Sequence, residues 1–176
     1  MFQFHQFNKL VRVFCDDIIP VAQADRINES NGHWWAVLVE KGYAKFCGSY
    51  ENIDGGFPRH SLYHLTGGIC VDIELYQLTN QESTGLFQLL LGLMETDLIV
   101  LNAGNKGNEF NTRETERGIL TYHAYSILQL KKIQNNRNTS IQLVQLRNPH
   151  GNKGLEWNGD WSDRSALWNT ISRRTK

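Results

Sequence analysis

The sequence predicts an α+β fold, and three observations lead to that class. Two long runs in the second half alternate apolar and polar residues, and a turn-rich linker joins them, as in an antiparallel strand pair. In the first half, apolar residues recur at helical spacing, and glycines mark the ends of these predicted helices. The strands mostly follow one another instead of alternating singly with helices, which favours α+β over a parallel α/β sheet.

Composition and charge restrict the classes of function. The chain has 176 residues, of which 40% are hydrophobic and 20% charged, as in globular domains. Eighteen basic residues balance 18 acidic ones, so no nucleic-acid partner is expected. No apolar run approaches the roughly 20 residues of a spanning helix, and the first residues lack the apolar centre of a signal peptide. We therefore expect no membrane span.

The cysteines indicate a compartment. Cys15, Cys47 and Cys70 are an odd number at irregular spacing, which fits neither a disulfide framework nor a zinc motif. A reducing compartment, the cytoplasm, is therefore the expected location.

The first half begins with a predicted hairpin and a helix. The first 19 residues predict two strands joined by a turn at Asn8-Lys9. Residues 31–48 predict a helix that Asn31 caps and Gly48 ends. Its apolar stripe consists of Trp35, Leu38, Val39 and Tyr43.

A loop and a second helix follow. The loop contains Gly55 and Gly56, which permit a positive φ or the close approach of another backbone. The short helix has Pro58 in its first turn, and Gly67-Gly68 close it. This glycine pair is the expected hinge between two parts of the chain.

The second half is predicted to contain most of the strands. Residues 69–78 predict a strand, and residues 80–97 a helix whose stripe is Leu86, Leu89, Leu90 and Leu93. The remaining elements are, in order, a strand at 98–104, an exposed loop at 105–117, the antiparallel pair 119–133 and 140–148, and a short helix at 164–171.

One histidine and one asparagine lie on that antiparallel pair. His123 is on its first strand and Asn148 closes its second, and paired strands lie about 5 Å apart, so the register can bring the side chains together. A histidine that takes a proton from a nucleophile needs a partner on its other nitrogen. An asparagine provides one without adding charge, which suits a Cys–His pair. A structural His–Asn contact is the alternative that the spacing leaves open.

The segments around these two residues resemble the calpain family of calcium-dependent cysteine proteases. "HAYSI", "QLRNPHG" and "EWNGDWSD" follow the order and approximate spacing of that family. Upstream, "VFCDDIIP", "VEKGYAKFCGSYENIDGG" and "HLTGG" resemble its strand, helix, substrate-side loop and lobe hinge. The resemblance covers nearly the whole chain.

The resemblance implies a papain-like protease core. Residues 1–67 would be the C-terminal part of the first lobe and residues 68–176 the second lobe. His123 would be the general base, Asn148 its orienting partner, and Gly56 a residue that binds substrate backbone. The family's nucleophile lies in a Gly-Asp-Cys-Trp motif that this sequence lacks. We therefore expect a protease fragment that is inactive alone and whose partners are the missing part of its first lobe and further calpain domains.

Calcium binding is also implied by the resemblance. Glu156 and Asp163 match positions at which the family coordinates Ca²⁺, and carboxylate oxygens suit that ion. Two carboxylates do not fill its six to eight positions. The alternative is a solvated pair in which Asp163 caps the helix at 164–171.

Two departures from the family pattern favour a second interpretation. His150 replaces the tryptophan that usually covers the active site, and Tyr122 replaces the glycine that often precedes the catalytic histidine. A non-enzymatic homologue that uses the protease fold as a binding or regulatory module is therefore the alternative to a protease acting on protein substrates.

Overall fold

A computed structural model describes residues 1–19, 33–105, 115–149 and 156–171. These residues form two compact units, Met1–Ile73 and Glu74–Lys176, and each unit is described by itself. Helices and antiparallel sheets occur together, so the predicted α+β class is confirmed.

The first unit consists of a hairpin and two helices. Its elements are β1 (Phe2–Gln6), β2 (Lys9–Val13), α1 (Trp34–Cys47) and α2 (Pro58–Thr66), with a 3₁₀ turn at Glu51–Ile53.

The hairpin differs from its prediction by one residue. Gln6 pairs with Lys9, so the two turn residues are Phe7 and Asn8, with φ of 47° and 60°. Two residues with positive φ are the pattern of a tight turn whose twist matches that of the strands. Asn8 tolerates this conformation well, whereas Phe7 does not, and this is why the sequence points to a turn one residue later.

Aromatic rings form the centre of the first unit. Phe4 is 1% exposed, and its ring centroid lies 4.9 Å from that of Phe46 and 5.5 Å from that of Tyr43. Both partners are on α1, which is therefore anchored on the hairpin. Gly42 lets strand β1 lie close to α1, because a Cβ at this position would lie 2.5 Å from the ring of Phe2.

The buried face of α1 is rotated from the predicted stripe. Its buried residues are Val37, Gly42 and Ala44, whereas Trp35 is 67% exposed. The predicted cap Asn31 lies outside the described residues, and His33 occupies the N-cap position with no side-chain cap bond. The predicted end at Gly48 is confirmed, with a φ of 107°.

The second helix agrees with its prediction. It begins at Pro58, and Gly67 ends it in the left-handed conformation with φ of 71°. The ring of His5 packs against Gly67, where a Cβ would lie 2.6 Å from the ring.

The predicted strand at 69–78 is wrong. In the described residues this segment pairs with no strand, Leu75–Gln77 form a 3₁₀ turn, and Ile69 is 97% exposed. Alternating apolar residues give a segment the propensity for a strand, but a strand also needs a neighbour with which to form hydrogen bonds.

The second unit contains a helix and a three-stranded antiparallel sheet. Its elements are α3 (Asn80–Met94), β3 (Asn102–Asn105), β4 (His123–Gln134) and β5 (Ser140–Arg147), with a 3₁₀ helix at Ala166–Thr170. The sheet order is β3-β4-β5, and α3 packs against β4.

The details of several of these elements differ from the predictions, and β4 begins at His123 instead of residue 119. Phe87 is the buried residue of α3, whereas Leu89 of the predicted stripe is 59% exposed. The strand predicted at 98–104 begins only at Asn102. The antiparallel pairing of β4 with β5 is confirmed.

Strand β4 carries one extra residue. Ile127 pairs with Leu146, but Gln129 pairs with Gln145, so Leu128 has no opposite number. This β-bulge turns Leu130 to the face that carries His123 and Tyr125.

Candidate functional site: a histidine–asparagine pair

The sheet of the second unit brings His123 and Asn148 together. His123 is the first residue of β4, and Asn148 directly follows β5. Ser126 pairs with Arg147, so Asn148 lies opposite Tyr125 and on the same face as His123. The strand pairing that the sequence predicts therefore places the two polar side chains diagonally across from each other.

The two side chains form a hydrogen bond. His123 Nε2 lies 2.8 Å from Asn148 Oδ1, and both residues are half-buried. A carbonyl oxygen only accepts, so Nε2 carries the hydrogen and donates it. In a neutral imidazole the other nitrogen, Nδ1, then has the lone pair, which is the arrangement that a general base requires.

Tyr125 is an aromatic neighbour of His123. Its ring centroid lies 4.8 Å from that of His123, with an interplanar angle of 87°. Tyr125 is 5% exposed, and its hydroxyl accepts a hydrogen bond of 2.8 Å from the backbone N–H of Leu120. Tyr125 was not among the predicted site residues, although its position two residues after His123 on a strand was a usable signal.

Tyr122 has an unusual backbone. Its φ is 48°, in the left-handed region that favours glycine, and its side chain is 38% exposed. A tyrosine held there directly before His123 costs about 1–2 kcal/mol of backbone energy. His150, the other departure that the sequence indicated, lies outside the described residues.

Backbone contacts hold the segment before β4 against residues 156–158. The N–H of Asn158 donates to the carbonyl of Arg117 at 3.1 Å, and the side-chain amide of Asn158 donates to Glu116 O at 3.4 Å. Gly118 has a φ of 82°, and a Cβ there would lie 2.0 Å from the carbonyl oxygen of Glu156. Only glycine fits this contact.

The two expected calcium ligands lie in an exposed part of the chain. Glu156 and Asp163 are both exposed. In the described ranges, no three His, Cys, Asp or Glu side chains come close enough to hold a metal ion. These two carboxylates therefore do not make up the ligand set that Ca²⁺ needs.

The alternative role of Asp163 as a helix cap is wrong. Ser165 is the N-cap of the 3₁₀ helix, and its hydroxyl accepts from the N–H of Leu167 at 3.3 Å. The segment before the cap is instead closed by the indole of Trp168, which donates to Ser162 O at 2.7 Å.

Gly56, the expected substrate-binding residue, lies in the first unit. It is exposed, and a Cβ there would have no atom within 4 Å. The backbone at this point is therefore open to a ligand, although it has neither the positive φ nor the close backbone contact that the sequence suggested.

The three cysteines also lie in the first unit. All are free thiols; Cys15 and Cys47 are half-buried, whereas Cys70 is exposed. The thiol of Cys70 donates to the carbonyl of Arg59 at 3.2 Å. This contact gives that sulfur no base to activate it.

A second histidine contact belongs to the core of the first unit. The hydroxyl of Tyr43 lies 2.9 Å from His64 Nδ1. Burial raises the pKa of Tyr43 to about 12, with a smaller contribution from Cys47. Burial also lowers the pKa of His64, with His60 as the second cause. Both shifts favour the neutral forms, as expected of a structural contact.

The fold and the histidine pair together define a class of protein. An α+β chain in which an asparagine oxygen accepts a hydrogen bond from Nε2 of a histidine matches the arrangement of the histidine and asparagine in papain-like cysteine proteases.

Comparisons with known proteins identify the family. The sequence model of the calpain family cysteine proteases matches residues 1–176. Calpain clp-4 of Caenorhabditis elegans is 34% identical over 178 residues, covering 99% of this chain and 24% of that protein. Calpain-A of Drosophila melanogaster is 34% identical over 182 residues, covering 99% and 21%. Human calpain-12 is 36% identical over 174 residues, covering 97% and 23%.

The chain therefore belongs to the calpain family of cysteine proteases. It spans about a quarter of the length of the curated relatives that it matches. None of the helices in the described ranges is long and apolar enough to cross a membrane.

Proposed function

We propose that this chain supplies the histidine and the asparagine of a calpain-type cysteine endopeptidase. The observation that carries the proposal is the 2.8 Å contact between His123 Nε2 and Asn148 Oδ1. Family membership supports it independently, because the matched relatives are named calpains.

Each residue has a defined task in the proposed reaction. Nδ1 of His123 takes the proton of a cysteine thiol, and the thiolate attacks the peptide carbonyl carbon. The imidazolium then passes that proton to the leaving amine nitrogen as the C–N bond breaks. A water molecule loses a proton to Nδ1, attacks the thioester, and releases the acid and the thiol. Asn148 keeps Nε2–H oriented throughout without adding charge.

The nucleophile in this proposal comes from outside the 176 residues. The sequence has no Gly-Asp-Cys-Trp motif, and none of the three cysteines, Cys15, Cys47 and Cys70, stands in such a context. The isolated chain is therefore expected to be inactive, and the working enzyme also contains the thiol-bearing part of its first lobe. A reducing, cytoplasmic location belongs to the same proposal, because the reaction needs a free thiol.

Protein substrates are the proposed partners, and Gly56 the proposed contact with substrate backbone. The support is the exposed position of Gly56, which leaves its peptide groups accessible. Backbone recognition of this kind reads an extended peptide more than its side chains.

Casein hydrolysis tests the proposal. We expect no hydrolysis by the isolated chain, and hydrolysis by a longer gene product that contains the thiol motif. In that product, His123→Ala should lower kcat/KM by about 10²–10⁴-fold, the usual contribution of a general base. Asn148→Ala should lower kcat more than it raises KM, whereas His60→Ala, an exposed histidine of the first unit, should change neither.

Two results would overturn the proposal. One is hydrolysis by the isolated chain that ends when a thiol reagent labels Cys15, Cys47 or Cys70. The other is full activity of the longer product after His123→Ala.

Calcium binding at Glu156 and Asp163 is a separate proposal. Its support is the matching position of the two carboxylates in the resemblance, and the remaining ligands would come from elsewhere in the protein. Calorimetric titration of the longer product with Ca²⁺ should show heat that Glu156→Gln together with Asp163→Asn reduces. Unchanged binding in this double variant would exclude the site.

A binding module without activity is the second candidate, and Tyr122 is the observation that favours it. A tyrosine in the left-handed conformation directly precedes the proposed base, and its side chain is exposed. If the longer product carries another residue in place of the motif's cysteine, this candidate replaces the enzyme.

A further inference from the structure

The hydrogen bond to Asn148 is by itself a modest restraint on His123. Both partners are neutral when the base is unprotonated, and neutral hydrogen bonds are about half as strong as charge-assisted ones. Asn148 also lies just beyond the last residue of β5, outside the strand ladder. A ring contact on the imidazole would restrict its plane beyond what this hydrogen bond does.

Tyr125 provides a contact of the required kind. Residues two apart on a strand share a face, so its ring lies beside the imidazole, at 4.8 Å and an angle of 87°. Perpendicular packing is a preferred geometry of aromatic pairs, and it resists rotation of either ring.

The tyrosine ring is itself held in place. It is 5% exposed, and its hydroxyl accepts the N–H of Leu120 at 2.8 Å. The ring is therefore fixed at its base by the strand and at its tip by the segment that leads into His123.

We propose that Tyr125 is a positioning residue for the proposed base, fixing the imidazole plane of His123 so that Nε2 faces Asn148 and Nδ1 faces the reaction. This inference rests on the proposed function for its purpose, but the ring contact can be tested without any activity.

Nitrogen NMR of the histidine rings provides that test on the 176-residue chain. Long-range ¹H–¹⁵N spectra at pH 8 report which ring nitrogen of His123 carries the hydrogen, and His123→Gln assigns the signals among the six histidines. The unmodified chain should show the Nε2–H form in large excess. Tyr125→Leu should lower the ratio of the Nε2–H to the Nδ1–H form by about two- to tenfold, the usual strength of an aromatic pair.

Two variants separate positioning from general loosening. Tyr125→Phe keeps the ring and should retain the ratio within about twofold. Ile133→Ala removes side-chain volume from a residue on the same strand that is 2% exposed, and it should leave the ratio unchanged. An equal fall in the Ile133 variant, or no fall in Tyr125→Leu, would overturn the proposal.

The unmodified chain decides the matter if Tyr125→Leu does not fold. Nuclear Overhauser effects between the ring protons of Tyr125 and His123 are expected, and their absence contradicts the contact. Asn148→Ala tests the proposed function separately: if the Nε2–H excess survives that change, the asparagine does not orient the imidazole, whatever the result for Tyr125.

Discussion

Gly118 joins two segments of the second unit at the scale of one residue. Its φ of 82° and the 2.0 Å between a hypothetical Cβ and Glu156 O leave no room for a side chain. Gly118→Ala should therefore lower the free energy of unfolding by more than about 2 kcal/mol, since the left-handed conformation alone costs about 1–2 kcal/mol. Urea denaturation followed by circular dichroism measures this loss.

Gly92 is the matched control for that substitution. It lies inside α3, and a Cβ there has no atom within 4 Å. Gly92→Ala should raise the free energy of unfolding by about 0.5–1 kcal/mol, because alanine loses less conformational freedom in a helix. Equal stability of the two alanine variants would contradict the close contact at Gly118.

The site residues were predictable from the sequence to different degrees. The contact between His123 and Asn148 was predictable because strand pairing brings them together, and it is present at 2.8 Å, whereas their proposed roles came from the family resemblance. Tyr125 was missed because a tyrosine on a strand is usually just core. Gly118 was missed because its constraint comes from Glu156, which is distant in sequence.

A capping box begins α3 at the scale of one element. The hydroxyl of Thr79 accepts from the N–H of Glu82 at 3.3 Å, and the carboxylate of Glu82 accepts from the N–H of Thr79 at 2.8 Å. Thr79→Ala should lower the free energy of unfolding of the second unit by about 1 kcal/mol, the usual value of an N-cap. Thermal unfolding measures this change.

The same box should make the stability of the helix depend on pH. Hydrogen bonds from the backbone and then the side chain of Thr79 lower the pKa of Glu82 from 4.5. A lowered pKa in the folded state stabilises the protein above pH 4.5, and this contribution is lost as the pH falls further.

Glu82→Gln is the control for that dependence. Glutamine keeps a capping oxygen but does not titrate. The free energy of unfolding of this variant should therefore fall less between pH 5 and pH 3 than that of the unmodified chain. An identical loss in both proteins would show that Glu82 does not contribute.

Elements that a glycine or proline in the sequence begins or ends were easier to predict than elements that need a partner strand or helix. The end of α2 followed from Gly67, and that of α1 from Gly48. The strand expected at 69–78 failed because no sequence pattern shows whether a neighbouring strand is present. The burial of Phe87 was missed because the predicted leucine stripe left this residue out, and the side of α3 that is buried depends on its packing against β4, which lies far along the chain.

Over the whole chain, many large apolar side chains are exposed. In the first unit they include Phe7, Trp35 and Ile69, which are 85%, 67% and 97% exposed. Extended apolar surface favours association. We expect the isolated chain to self-associate at concentrations of about 100 μM, because such a concentration exceeds a dissociation constant in the low micromolar range.

Light scattering after size exclusion measures that association. The triple variant Phe7→Asn, Trp35→Gln and Ile69→Ser should shift the population towards the monomer without changing the circular dichroism spectrum. A strictly monomeric unmodified chain at the same concentration would argue against the expectation.

The extra residue in β4 determines which side chains of this strand lie on the same face of the sheet in the second unit. Leu128 separates a half that presents His123 and Tyr125 from a half that presents Leu130 on the same side. Removing it would make the ladder regular but put the two halves out of step, so that either the imidazole or the leucine would have to point the opposite way. The orientation of the proposed base and that of a buried leucine on the same strand thus both depend on one unpaired residue.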